Sequence, residues 1–186
     1  MMSEQEVDVN QMLSDWQRGD LNARDALFET VYSELKQRSA SLLQREGAVS
    51  LSPGDVVNEA LIRMIKLNRT SLHDKAHFMA LSARMMRRVL IEHARHKHAA
   101  KREHRKVTLI TAIPEQQTQT VNLLKLDEAL QTLQSISEPF AEIVEMRYFG
   151  GLSLDEIAQV TSSSKSTVQR RWRAARAWLR NALQEV

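Results

Sequence analysis

The chain has 186 residues, 42% of them hydrophobic and 26% charged, with a formal net charge of +3 and no cysteine. That length supports one domain or two small ones with modest cores, and the missing cysteines exclude disulfides and thiolate metal sites. No apolar run approaches the ~20 residues that cross a bilayer, and the acidic, polar stretch Met1 to Asn10 does not read as a signal peptide, so a cytoplasmic protein with no membrane partner is expected.

Only five glycines and three prolines interrupt long stretches of apolar residues at helical spacing, which predicts an all-α fold. A first helix is expected over about Val7 to Arg18. Arg18-Gly19-Asp20 breaks it, and Asp20 can cap the next helix, about Leu21 to Glu46. Ala26, Leu27, Val31, Leu35, Ala40 and Leu43 recur there at threes and fours, so one face is expected to be buried. Ser52-Pro53-Gly54-Asp55 opens another helix: Ser52 is a good N-cap, Pro53 suits the first helical position, and Asp55 can close a box back onto the cap. That helix continues through Val56, Val57, Ala60, Leu61, Met64 and Ile65, and Asn68-Arg69-Thr70-Ser71 ends it.

Asp74 starts a long helix through Phe78, Leu81, Met85, Val89 and His93. It carries a basic block: Arg84, Arg87, Arg88, Arg95, Lys97, Lys101, Arg102, Arg105 and Lys106 face only Glu92 and Glu103, a net +7. A second block near the carboxy terminus has Lys165, Arg170, Arg171, Arg173, Arg176 and Arg180 against Glu185, a net +5. Two basic blocks on an otherwise acidic chain suggest two contacts with a polyanion, the plain alternative being solvated helix faces. His93, His96, His98 and His104 lie in the same region, and His93 and His96 are one turn apart. No acid or cysteine completes a ligand set, so no metal or other cofactor is expected, and the histidines are read as phosphate-facing or solvated.

From Lys106 to Asn122 the periodicity dissolves. The polar run Thr111 to Thr120 reads as a linker, and before it Val107, Leu109 and Ile110 form either a short strand or an extended segment docking on a partner. The predicted organisation is therefore a helical domain over 7–100, a flexible linker over 101–121 and a second helical domain over 122–186. In the last part Leu123, Leu126, Leu130 and Leu133 mark one helix. Ser137-Glu138-Pro139 opens another, containing Phe140, Ile143, Val144 and Met146, and Gly150-Gly151 stops it.

Ser153-Leu154-Asp155-Glu156 is a capping box, followed by a short helix expected to bury Leu154, Ile157 and Ala158. Thr161-Ser162-Ser163 makes a turn, and Ser164 can cap a last helix whose Val168, Trp172, Ala175 and Leu179 face the core. Ala158, Ser162 and Val168 stand at the spacing of a helix-turn-helix, whose second helix enters the major groove. Its first turns present Ser164, Lys165, Ser166, Gln169, Arg170 and Arg173, side chains able to read base edges, while Thr161 and Ser163 are better placed for phosphates. Ser162 occupies the turn position usually held by glycine, so some strain is expected there.

With these residues in hand, the chain resembles the extracytoplasmic-function (ECF) class of bacterial RNA polymerase sigma factors from about Val7 to Leu183. Met146 to Ala158 and Ser166 to Arg176 are similar to that family's −35-reading domain, sigma region 4. Val57 to Met64 resembles the region 2 helix that docks on the polymerase, and Phe78 to Ile91 the helix that reads and melts the −10 element. The resemblance implies a non-enzymatic initiation factor with no catalytic residues. Its implied partners are promoter DNA and core RNA polymerase, engaged through the β′ clamp helices and the β flap. It implies polymerase contacts at Asp55, Asn58, Glu59 and Arg63. Backbone contacts to the −10 strand fall on Arg84, Arg87, Arg88 and Arg95, with the loop from Asn68 to His77 holding a flipped base, and −35 contacts fall on the recognition helix.

One departure stands out. The family usually carries a run of acids where this chain has Ser52-Pro53-Gly54-Asp55. A Ser/Thr kinase acting on Ser52 or Ser50 would restore charge at a helix N-terminus, whereas the plain role of Ser52 is an N-cap. An anti-sigma factor is the other regulatory partner the resemblance admits. The functional alternative is a conventional helix-turn-helix regulator that binds duplex operator DNA without polymerase. An enzyme with a nucleic-acid-binding tail lacks support, because the chain has no Gly-rich phosphate loop and no convincing acid pair.

Overall fold

Capping chemistry sets the helix boundaries in the computed structural model, which describes residues 4–46, 51–67, 72–101, 107–108, 120–121 and 123–184. Gly19 turns the chain at φ 103°. The Asp20 carboxylate then accepts the backbone N–H groups of Asn22 at 2.8 Å and Ala23 at 3.3 Å, separating α1 (Glu4–Gln17) from α2 (Leu21–Glu46). The box before α3 (Pro53–Lys66) is complete: Ser52 Oγ accepts the Asp55 N–H at 3.2 Å, and Asp55 Oδ2 accepts the Ser52 N–H at 2.8 Å. Asp74 accepts the His77 N–H at 2.9 Å and opens α4 (Lys75–Lys101). After the linker region come α5 (Leu123–Ile136), α6 (Glu138–Tyr148), α7 (Leu154–Val160) and α8 (Lys165–Gln184). The fold is all-α, as the periodicity predicts.

The linker departs from expectation. Val107–Thr108 (β1) pairs antiparallel with Thr120–Val121 (β2), Val107 opposite Val121 and Thr108 opposite Thr120. Val107 is in a strand, one of the two forms expected of it, Leu109 and Ile110 lie outside the described residues, and Thr120 belongs to a ladder rather than to an aperiodic run. Two residues a side are too few to print an alternating pattern, which needs about four to eight.

The core follows the apolar stripes. Leu27, Val31 and Leu35 of α2, Val56 and Val57 of α3, and Phe78, Met85 and Leu90 of α4 are buried together. In the second half Leu126, Leu130, Ile143, Val144, Phe149, Leu152, Ile157, Val168 and Trp172 are buried. Each such side chain contributes about 1.5–3 kcal/mol of transfer free energy. Ala26, Ala40 and Leu81 are only half-buried, and Ile65 is exposed because it lies off the Val56-Val57-Ala60-Leu61-Met64 stripe. The two halves share one contiguous apolar cluster. Helix α4 is its common wall, packing on α3 and also on α5, α6 and α7. Among the described residues no helix is long and apolar enough to cross a membrane.

Candidate nucleic-acid interface

The helix-turn-helix is built from its caps inward. Ser153 Oγ accepts the Glu156 N–H at 3.2 Å, and Glu156 Oε2 accepts the Ser153 N–H at 2.7 Å, which fixes the start of α7. Ile157 is fully buried, but Leu154 and Ala158, both expected in the core, are half-buried. A seven-residue helix offers a narrow inner face, and Ile157 occupies its centre.

The helix ends in a Schellman motif: the Ser163 N–H reaches the Ala158 carbonyl at 3.0 Å and the Ser162 N–H the Gln159 carbonyl at 3.2 Å. Ser162 pays for this with φ +48°, the left-handed region, as its position predicts. Ser164 Oγ then accepts the Thr167 N–H at 3.2 Å and opens α8.

Val168, Trp172, Ala175 and Leu179 anchor α8 in the core. Ser164, Lys165, Ser166, Gln169, Arg170 and Arg173 are all exposed. Lys165 Nζ lies 2.8 Å from Asp155 Oδ2, both side chains well exposed, so the pair is worth little and is easily exchanged for a phosphate. Thr161 and Ser163 are half-buried and bond locally: Thr161 Oγ1 donates to the Ile157 carbonyl at 2.7 Å, and Ser163 Oγ donates to the Thr161 carbonyl at 3.2 Å.

The second basic face is on α4. Arg84, Arg87, Arg88 and Arg95 line one cleft of about 330 Å³, and its opposite wall is acidic. Arg87 Nη2 is 2.7 Å from Asp127 Oδ1, and Arg87 Nη1 is 2.9 Å from Glu145 Oε1. Arg84 reaches Glu145 at 3.3 Å and Glu142 at 3.6 Å, and Arg95 reaches Asp127 at 3.1 Å. Asp127 and Glu145 are buried, which ion pairs of this quality make tolerable. Burial pushes the Glu142 carboxyl above its ordinary range; Arg84 opposes that shift, and Glu138 and Glu145 add to it. The guanidinium of Arg87 also lies 5.9 Å from the centre of the Phe149 ring. Sequence reasoning missed these acids. Their signal was present: Glu138, Glu142 and Glu145 recur at the spacing of one helix face.

On α3, Asp55, Asn58 and Glu59 are exposed, while Arg63 is half-buried between Glu59 at 3.2 Å and Glu92 at 2.6 Å. Hydrogen bonds from the Ser52 backbone and side chain hold the Asp55 carboxyl below the usual carboxylate range. Ser52 is exposed, and Ser50 lies outside the described residues. Exposed Ile62, Ile65 and Leu67 stand on the same helix end, an apolar contribution that the charged-residue reading passed over. Of the segment from Asn68 to His77, residues 68–71 lie outside the described part. In the rest, the Asp74 carboxylate accepts from His77 and, at 2.9 Å, from the Gln159 amide of α7. On α4, His93 is half-buried and His96 exposed, and His104 lies outside the described residues.

With this geometry in place, comparison with protein families gives one finding: residues 6–185 match the family described as ECF sigma factor. Among curated proteins, none matches the chain.

Proposed function

Since the chain belongs to the ECF sigma factor family and so acts in transcription initiation with RNA polymerase and promoter DNA, we propose a division of labour among its residues. Residues 7–100 form the module that engages core polymerase and the −10 element, 101–121 the linker, and 122–186 the module that reads the −35 duplex. The observation that carries this reading is α8: six polar or basic side chains stand exposed on the first turns of a capped recognition helix, with every large apolar side chain of those turns buried behind them. Gln169, Arg170 and Arg173 are of the types that read adenine and guanine edges, and Ser164, Lys165 and Ser166 stand beside them at the helix N-terminus, where phosphates are favoured.

Arg84, Arg87, Arg88 and Arg95 follow the backbone of the unpaired −10 strand, in a cationic groove of the kind that single-stranded nucleic acid requires. Asp55, Asn58, Glu59 and Arg63, with the neighbouring exposed apolar residues, meet the β′ clamp helices, and the helix-turn-helix module meets the β flap. The protein contributes recognition, and the polymerase contributes the chemistry.

The neutral sequence before Asp55 supports a regulatory reading at Ser52. A phosphate there adds about −1.5 to −2 charges at the N-terminus of α3, where the helix dipole favours it. A Ser/Thr kinase would be the switch, an anti-sigma factor the alternative regulator. Run-off transcription with purified core polymerase, followed by promoter mapping, tests the main reading: specific starts are expected only in the combined holoenzyme. Core-binding measurements with unmodified protein and with Ser52→Glu test the switch, and equal affinities would remove it.

A further inference from the structure

We propose that the free protein holds itself closed, with the acidic face of α5 and α6 occupying the α4 arginines as a stand-in for the −10 strand. The inference rests on the role proposed above for those arginines. On α4, Arg84, Arg87, Arg88 and Arg95 fall on one helical face. Opposite Arg84, Arg87 and Arg95, Glu142 and Glu145 of α6 and Asp127 of α5 present carboxylates at 2.7–3.6 Å. Arg87, the most enclosed of the four, bridges Asp127 and Glu145 at once. Arg87 donates three of its five N–H groups to these carboxylates, Nε and Nη2 to Asp127 and Nη1 to Glu145, so the closed contact and the nucleic acid compete for the same side chain.

Two further contacts show that the halves are fitted rather than merely adjacent. Arg38 of α2 donates to the Gly150 carbonyl. A Cβ on Gly150 would stand 2.7 Å from the Ala83 Cβ, so α4 approaches the α6–α7 turn as closely as backbone allows. The recognition helix differs in its partners: Arg84, Arg88 and Arg95 are exposed too, but Arg84 and Arg95 already hold carboxylates, whereas Gln169, Arg170 and Arg173 meet none among the described residues. Closure therefore engages three of the four α4 arginines and leaves Gln169, Arg170 and Arg173 of the recognition helix free. Opening the halves releases the −10 face.

The test uses the full chain with Asp127→Asn and Glu145→Gln, which keep shape and remove charge. Small-angle scattering reads closure directly; a compact chain of this length has a radius of gyration of about 16 Å. The unaltered protein is expected near that value and the double variant well above it. Fluorescence anisotropy with labelled oligo(dT) reads masking, and the variant is expected to bind about tenfold more tightly, the gain from freeing a site accessible in about a tenth of molecules. A second variant, Arg38→Gln with Gln159→Ala, loosens the halves without touching the acids and is expected to shift both readouts the same way, so the test survives if the first variant loses its fold.

Unchanged compactness and affinity in both variants overturn the proposal, as does expansion without tighter binding. Failure of the functional reading looks different: Arg88→Ala, outside the ion-pair contact, would then leave holoenzyme transcription intact whatever the scattering shows.

Discussion

Gly150 and Ala83 meet with no space between them for a side chain. A Cβ at position 150 would also lie 2.6 Å from the Met146 carbonyl oxygen and 2.5 Å from Leu152 Cδ1. One of those neighbours is backbone and cannot swing aside. Gly150→Ala is therefore expected to destabilise the protein by about 1–3 kcal/mol, the usual range for overpacking. Denaturant unfolding checks it; an unchanged midpoint would mean that the turn and α4 separate at little cost.

Arg170 is exposed on the second turn of α8 and faces away from the Trp172 anchor. Arg170→Ala is expected to weaken promoter-specific initiation by about 1–3 kcal/mol if its guanidinium reads a base edge. The check is run-off transcription on the cognate promoter and on −35 mutants. An equal loss on every template would assign Arg170 to a phosphate instead.

Ser162 sits at φ +48° in the turn of the helix-turn-helix. A side chain there costs roughly 1–2 kcal/mol, whereas glycine's extra freedom in the unfolded chain costs about 0.5–1 kcal/mol. The first effect is the larger, so Ser162→Gly should stabilise the protein by about 0.5 kcal/mol, and Ser162→Val should destabilise it. Thermal unfolding of the three proteins gives the order. DNA affinity should follow stability rather than change on its own, because the Ser162 hydroxyl has no part assigned in recognition.

Asp74 gives stability a pH dependence. Burial raises its pKa, but the backbone and ring of His77 and the amide of Gln159 lower it by more, leaving it below the ordinary carboxylate value. With the native pKa depressed, the contribution is fully present above the unfolded value of about 3.9 and fades as pH falls through the native one. Asp74→Asn retains a capping group and removes the charge, and should cost about 0.3–1 kcal/mol at neutral pH, the scale of a charge at a helix N-terminus. The gap in melting temperature between the two proteins should close below about pH 4. A gap that persists there would show that the charge is not its source.

Much of the fold was legible because its signals are local. Ser52, Asp74, Ser153 and Ser164 each cap a helix through side-chain contacts within three residues, and the Leu126–Leu130–Leu133 and Val168–Trp172–Ala175–Leu179 stripes name their own buried faces. The exposure of Gln169, Arg170 and Arg173 was legible for the same reason, since they lie off the stripe that buries Trp172. What escaped is non-local. Arg87 and Glu145 are 58 residues apart, and nothing near either says that they meet. Charge counting therefore assigned the α4 arginines to a polyanion without finding the carboxylates beside them. The carbonyl bonds that Thr161 and Ser163 make in the free chain escaped too, because a hydroxyl's partner depends on geometry that residue type does not encode.

The pairing of Val107 with Val121 and Thr108 with Thr120 makes the connector a noose drawn tight at its neck. While the neck holds, residues 107–108 and 120–121 stay about 4.7–4.9 Å apart, as adjacent strands do. Untied, residues 109–119 alone could stretch to roughly 35–40 Å at ~3.3–3.6 Å per residue. Two residue pairs thus set how much of this tether is available. A partner that inserts between the strands, or pulls on either end, would pay out length in one step.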